Sequence, residues 1–135
     1  MMKLVLVATA VALISAPALS EVGDDRDNFE LLCQGCHVAQ GRPAVAPPAF
    51  AVAHHVKAEV PERQAFIEWV LQWVQSPDVE RSMMPGAVRR FGLMPRLSYR
   101  EDQIRSAAAY LFDNPWQRPA WFEQHYREEH GRAPE

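Results

Sequence analysis

Residues 33–37 read Cys33-Gln34-Gly35-Cys36-His37 and hold both cysteines of the 135-residue chain. Two thiols separated by two residues stand about one helical turn apart, close enough to reach both vinyl groups of one porphyrin and form thioethers. A histidine directly after the second thiol places an imidazole over the iron. Gly35 adds no side chain that would hold the backbone away from the ring edge. Together these residues form the C-x-x-C-H pattern of c-type haem attachment. Other chemistries use only parts of it. A redox-active dithiol also has C-x-x-C, but it opens a helix of a βαβ unit, and no stretch here alternates as a strand would. A structural zinc site wants four ligands, whereas Cys33, Cys36 and His37 supply three, crowded together. A plain disulfide uses the thiols and leaves His37 without a part. The motif therefore predicts one covalent haem c with His37 as an iron ligand.

Upstream, the chain opens Met1-Met2-Lys3, continues as an apolar run over residues 4–14 and then reads Ser15-Ala16-Pro17-Ala18-Leu19-Ser20. A short positive start, an apolar core and a small-residue site compose a secretory signal peptide. Cleavage is expected after Ser20, or alternatively after Ala18, which places the protein in the periplasm. The apolar run is shorter than the ~20 residues a membrane-crossing helix needs, so membrane attachment is expected only if the leader stays uncleaved. Losing Lys3 with the leader moves the formal charge from −3 to −4. A mildly acidic protein is a poor match for nucleic acid, which calls for a strong basic excess.

Downstream and around the motif, the pattern is helical. Residues 24–33 are expected to form a short helix with acidic residues in its first turn, where they complement the helix dipole. Residues 34–60, rich in Gly, Ala and Pro, are expected to be loop. Residues 61–75 carry Phe66, Ile67, Val70, Leu71 and Val74 at helical steps with Trp69 and Trp73 beside them; Pro61 suits the first helical position and Pro77 the stop. Residues 78–98 are expected to be irregular. Residues 99–112 form the clearest amphipathic helix, with Ile104, Ala107, Ala108 and Leu111 on one face, a capping box from Ser98 to Glu101, and Asn114-Pro115 as the stop. The tail offers one more helix around Trp121, Phe122, His125 and Tyr126. The expected architecture is all-α: three to five short helices and long loops in residues 21–113, followed by an extension over 114–135. So dispersed a set of apolar residues needs a large apolar cofactor to complete the core.

Over residues 24–113 the chain resembles the class I cytochrome c family, whose N-terminal helix leads into C-x-x-C-H with an aromatic four residues ahead of the first cysteine, here Phe29. The family often has glycine four residues earlier, where its terminal helices cross; this chain has Asp25. The resemblance implies a proline carbonyl about ten residues after the histidine as acceptor for its ring N–H, and Pro47 or Pro48 fits. It also implies a methionine as the second iron ligand, since Met/His ligation raises the potential and closes the site. Counting forward from the tryptophan-bearing helix selects Met84 of Met84-Pro85. Counting back from Tyr110 selects Met94 of Met94-Pro95, which is expected because the last helix packs directly on the first; Met83 is a lesser alternative. Methionines left over fill core gaps. His54 or His55 in place of methionine would give a bis-histidine haem, although adjacent loop histidines more often face solvent or a propionate. His125 and His130 have no expected role. Trp69 or Trp73 is expected either to donate its indole N–H to a propionate, as a family tryptophan does, or simply to pack.

Arginines gather at positions 81, 89, 90, 96, 100 and 105. If Met94 sits on iron, Arg89, Arg90, Arg96 and Arg100 form a basic rim that would steer an acidic redox partner; otherwise they are a solvated face. The resemblance implies an electron carrier rather than an enzyme. Two other roles remain: a haem subunit of a periplasmic oxidoreductase docked by the tail, and a gas-sensing or peroxidase-like protein with an open distal site.

Overall fold

The structure is a computed structural model, and it describes residues 24–38 and 44–134. The leader over residues 1–20, with its cleavage site, lies outside the described residues. Among the described residues every regular element is a helix. In chain order these are α1 (Asp25–Leu32), α2 (Gln34–His37), α3 (Ala49–Glu59), α4 (Arg63–Gln75), α5 (Pro85–Phe91), α6 (Glu101–Asp113) and α7 (Trp121–His130). None of them is long and apolar enough to cross a membrane.

The all-α expectation holds, but residues 24–113 contain more helix than expected. The segment 34–60 is not all loop, because α3 follows Pro48 directly. Pro47 and Pro48 set an extended backbone just ahead of the first turn, and the Pro48 carbonyl accepts from Ala51 and Val52 at 2.9 and 3.1 Å. Ala49, Ala51, Ala53 and Ala58 then favour helix over loop. The segment 78–98 holds α5, begun by Pro85 at its first position, where its missing N–H costs nothing.

Two helix starts also differ from expectation. Glu62, not Pro61, begins α4: its carboxylate accepts from the Ala65 N–H at 2.8 Å, leaving Pro61 outside the helix. The Ser98–Glu101 capping box does not form. Residues 92–100 run extended, tied to the end of α4 by Leu97 N–H donating to the Val74 carbonyl at 3.0 Å. The Glu101 carboxylate is instead taken by Arg105 at 2.9 Å and Gln75 at 3.3 Å.

The core centres on Phe29, Ala49, Ala53, Val56, Phe66, Ala107 and Leu111. Small residues on α6 let other helices approach closely on two sides. Ala107 meets Phe29 of α1, and Ala108 with Ala109 receives Ile67 of α4. Phe29 sets the α1–α6 crossing, its ring lying 5.1 Å from Tyr110 and 5.6 Å from Trp116. Asp25 is held by hydrogen bonding across the two helices. The buried Ser106 hydroxyl donates to the Asp25 carboxylate at 2.6 Å and accepts from Asn28 Nδ2 at 3.0 Å. Buried polar groups must be hydrogen-bonded, and here each satisfies another across the two helices.

The tail folds back as α7. Phe122 and Tyr126, both essentially without solvent exposure, close over Ala51 of α3. Burying side chains of that size contributes roughly 1.5–3 kcal/mol each, and these two anchor α7 against α3.

Candidate functional site

The motif straddles the junction of α1 and α2. Cys33 is the C-cap of α1, its N–H bonded to the Phe29 carbonyl at 2.9 Å, and it starts α2; the His37 N–H returns to the Cys33 carbonyl at 3.0 Å. One turn of helix therefore turns Cys33, Cys36 and His37 toward the same space. That space is a cavity of about 290 Å³ walled mostly by apolar side chains.

The His37 ring is fixed before anything binds to it. Its Nδ1 lies 2.7 Å from the Pro47 carbonyl. A carbonyl only accepts, so Nδ1 carries the proton and Nε2 keeps its lone pair. Burial lowers the His37 pKa, and the Pro47 bond works against that shift without reversing it. The ring is thus neutral near pH 7, as a metal-ligating imidazole must be. Of the two expected prolines, Pro47 makes this bond and lines the cavity, whereas the Pro48 carbonyl is engaged in starting α3. Both cysteines are free thiols, Cys36 exposed and Cys33 half-buried. Desolvation pushes the Cys33 thiol up to about 11, so it is protonated and unreactive at neutral pH until a partner arrives.

All three methionines weighed from the sequence line this cavity, each from a different setting. Met83 packs on the main core. Met84 is the N-cap of α5, its carbonyl accepting from Ala87 and Val88 and its N–H donating to Ser82 Oγ at 3.1 Å, and it rests on Phe122 and Tyr126 of α7. Met94 lies in the extended segment and packs on Leu71, Val74 and Ile104. That segment leaves α5 through Gly92, whose φ of 83° and ψ of 175° suit glycine. Trp69 and Trp73 also line the cavity, stacked on each other at 5.3 Å with ring planes 9° apart.

His54 and His55 do not line it. They lie on α3, not in a loop. His55 bonds to the Ala51 carbonyl at 2.7 Å and to His130 of α7 at 2.9 Å, so the pair is turned to the tail and His130 has a partner after all. Of the rim arginines, Arg89 faces Glu129 at 3.7 Å and Arg100 pairs with Asp102, while Arg90 lies over the Phe91 ring. Arg96 is exposed.

The sequence reading missed the wall that α3 supplies through Val52 and Val56. Their four-residue spacing, in phase with Ala49 and Ala53, was the available signal. Among the described residues, no group of three or more histidines, cysteines, aspartates and glutamates is placed to hold a metal ion.

No family model matches the chain, and no solved structure matches it. A protein of Aquifex aeolicus (strain VF5), described only as uncharacterized, is 27% identical over 120 residues, a match covering 74% of this chain and 77% of that one.

Proposed function

We propose that the protein is an exported mono-haem cytochrome c that carries single electrons between periplasmic partners. One observation carries this reading: Cys33, Cys36, a pre-oriented neutral His37 and Met94 all line the same apolar cavity. Two thiols at the cavity edge, an imidazole with its Nε2 lone pair available and a thioether inside are the donor set a covalent haem requires.

When bound, the group supplies a one-electron Fe(III)/Fe(II) couple. The chain does the rest. Cys33 and Cys36 tether it, and the Pro47 carbonyl holds the His37 ring in one tautomer and orientation. The tie from Leu97 to Val74 holds the Met94 segment against α4. The walls from α3, α4 and α6 exclude water, and a dry, thioether-ligated environment favours the less charged reduced state. Arg90 and Arg96 offer positive charge outside, near the segment that lines the cavity, suited to a weak encounter with an acidic partner.

Mass spectrometry and a visible spectrum of the purified exported protein test this reading together. The mass should equal the chain without its leader plus one haem, retained under denaturing conditions. A colourless protein carrying two free thiols would sink the proposal. Stable co-purification with a larger protein would replace the free carrier with an oxidoreductase subunit. A high-spin spectrum with tight carbon monoxide binding would replace it with an open-site sensor.

A further inference from the structure

Four of the chain's five histidines lie on α3 and α7, away from the cavity. His54 and His55 on α3 meet the rings of Phe122 and Tyr126 on α7 edge-on or tilted, with centroids 5.1–6.2 Å apart. His130 covers the other face of this cluster, 4.3 Å from Tyr126 and 4.9 Å from His55. His125 lies further up α7 beside Trp121.

Proton placement within this contact is constrained. His55 Nδ1 donates to the Ala51 carbonyl, so neutral His55 presents a bare Nε2, and His130 must donate to it from its own Nε2. The 2.9 Å bond between the two rings therefore holds one proton between two nitrogens. Protonating His55 as well would put two N–H groups face to face. Buried His54 Nε2 has no hydrogen-bond partner among the described residues, so a charged His54 ring would leave an N–H there without an acceptor.

We propose that α7 is an acid-released strap, docked on α3 while this histidine cluster is neutral and freed when the cluster takes up protons. The surrounding charges add to the effect. Arg118 and Arg132 act against a charge on His54, and His125 and His130 act against one on His55. The Ala51 carbonyl and, more weakly, Glu129 favour charge on His55 without reversing the effect of burial, and Glu129 is engaged by Arg89. Glu59 is drawn to Arg132 at 3.9 Å. Tyr126 offers a ring rather than a carboxylate. Burial lowers the pKa of both His54 and His55. The released state therefore binds more protons than the docked state below the ordinary histidine pKa. Docking is complete above about pH 6.5 and is lost as pH falls from there toward the lowered values. Release of α7 also removes Phe122 and Tyr126 from beneath Met84, so the strap reaches the cavity wall whatever the cavity holds.

Amide hydrogen exchange of residues 121–130, normalised to intrinsic rates and recorded at pH 7.5 and 5.0, reads the strap directly. Each imidazole that protonates only on release should cut protection about 30-fold over that interval. Amides of α6 should keep theirs, and His54→Gln/His55→Gln should flatten the response. Equal α7 protection at both pH values overturns the proposal. So does a full-sized drop in the double variant. Should that variant fail to dock α7 at pH 7.5, the native imidazole resonances decide: His54 and His55 must titrate below the ordinary range, in step with the loss of protection. Ordinary midpoints independent of exchange would equally overturn it.

Discussion

Replacing Gly92 with alanine isolates one backbone requirement of the site. A Cβ at Gly92 would meet nothing within 4 Å, so the substitution has no steric cost from neighbours. The cost lies in φ 83° and ψ 175°, a region open essentially to glycine alone, and is on the order of 1–3 kcal/mol. Gly131, which closes α7 with φ 66° and ψ 9°, provides the contrast because it lies in the left-handed helical region that asparagine also visits. Denaturant unfolding should show Gly92→Ala and Gly92→Asn destabilised alike, by about 1–3 kcal/mol, while Gly131→Asn stays within about 0.5 kcal/mol of the parent. Each kcal/mol lowers the melting temperature by about 4–8 °C for a domain of this size. If instead the residues beyond Gly92 shift to relieve the strain, the Leu97–Val74 bond breaks and exchange of the Leu97 amide accelerates. Parent stability together with an unchanged Leu97 amide would refute the claim that this turn fixes the Met94 segment.

Phe66, with 0% exposure at the centre of the core, should cost about 3–5 kcal/mol as Phe66→Ala in the same unfolding assay. Met94→Ala should abolish the weak far-red charge-transfer band of a methionine-ligated ferric haem, and Met84→Ala should leave it; the reverse result would transfer the ligand role to Met84. In protein made without haem, an alkylating reagent at pH 8 should label exposed Cys36 well before Cys33. The Cys33 thiol, pushed up to about 11, leaves roughly one part in a thousand as thiolate at that pH, and rate ratios from peptide mapping check this.

Helices whose own side chains form the core were readable from sequence. The stripe on α4 and the face of α6 carry enough apolar residues at helical spacing for periodicity to stand out, and Asn114-Pro115 marks an end that the backbone respects. α3 was hidden by composition. Its alanines mark a helix face only weakly, and the prolines that suggested loop stand just outside the helix as its lead-in. The capping box failed because Glu101 is drawn to partners in three dimensions, Arg105 and Gln75, that local sequence does not reveal. In the candidate site, the motif was legible in its spacing, while the His37 acceptor was implied only by resemblance, as Pro47 or Pro48, and the packing ahead of α3 selects Pro47. The α3 wall and the His55–His130 contact depend on which helix faces which, and that information is not local.

The crossing of α1 and α6 shows where the chain is closed upon itself. Asp25 and Ser106 are 81 positions apart, and nearly every residue lining the cavity lies between them. Joining the ends of so long a loop costs on the order of 4 kcal/mol of chain entropy, which Phe29 and the Asp25–Ser106–Asn28 network must offset before the walls stand firm. The first and sixth helices thus act as a clasp. During synthesis the thiols emerge some seventy residues before their enclosure can shut, so Cys33 and Cys36 stand on an open chain until the sixth helix meets the first.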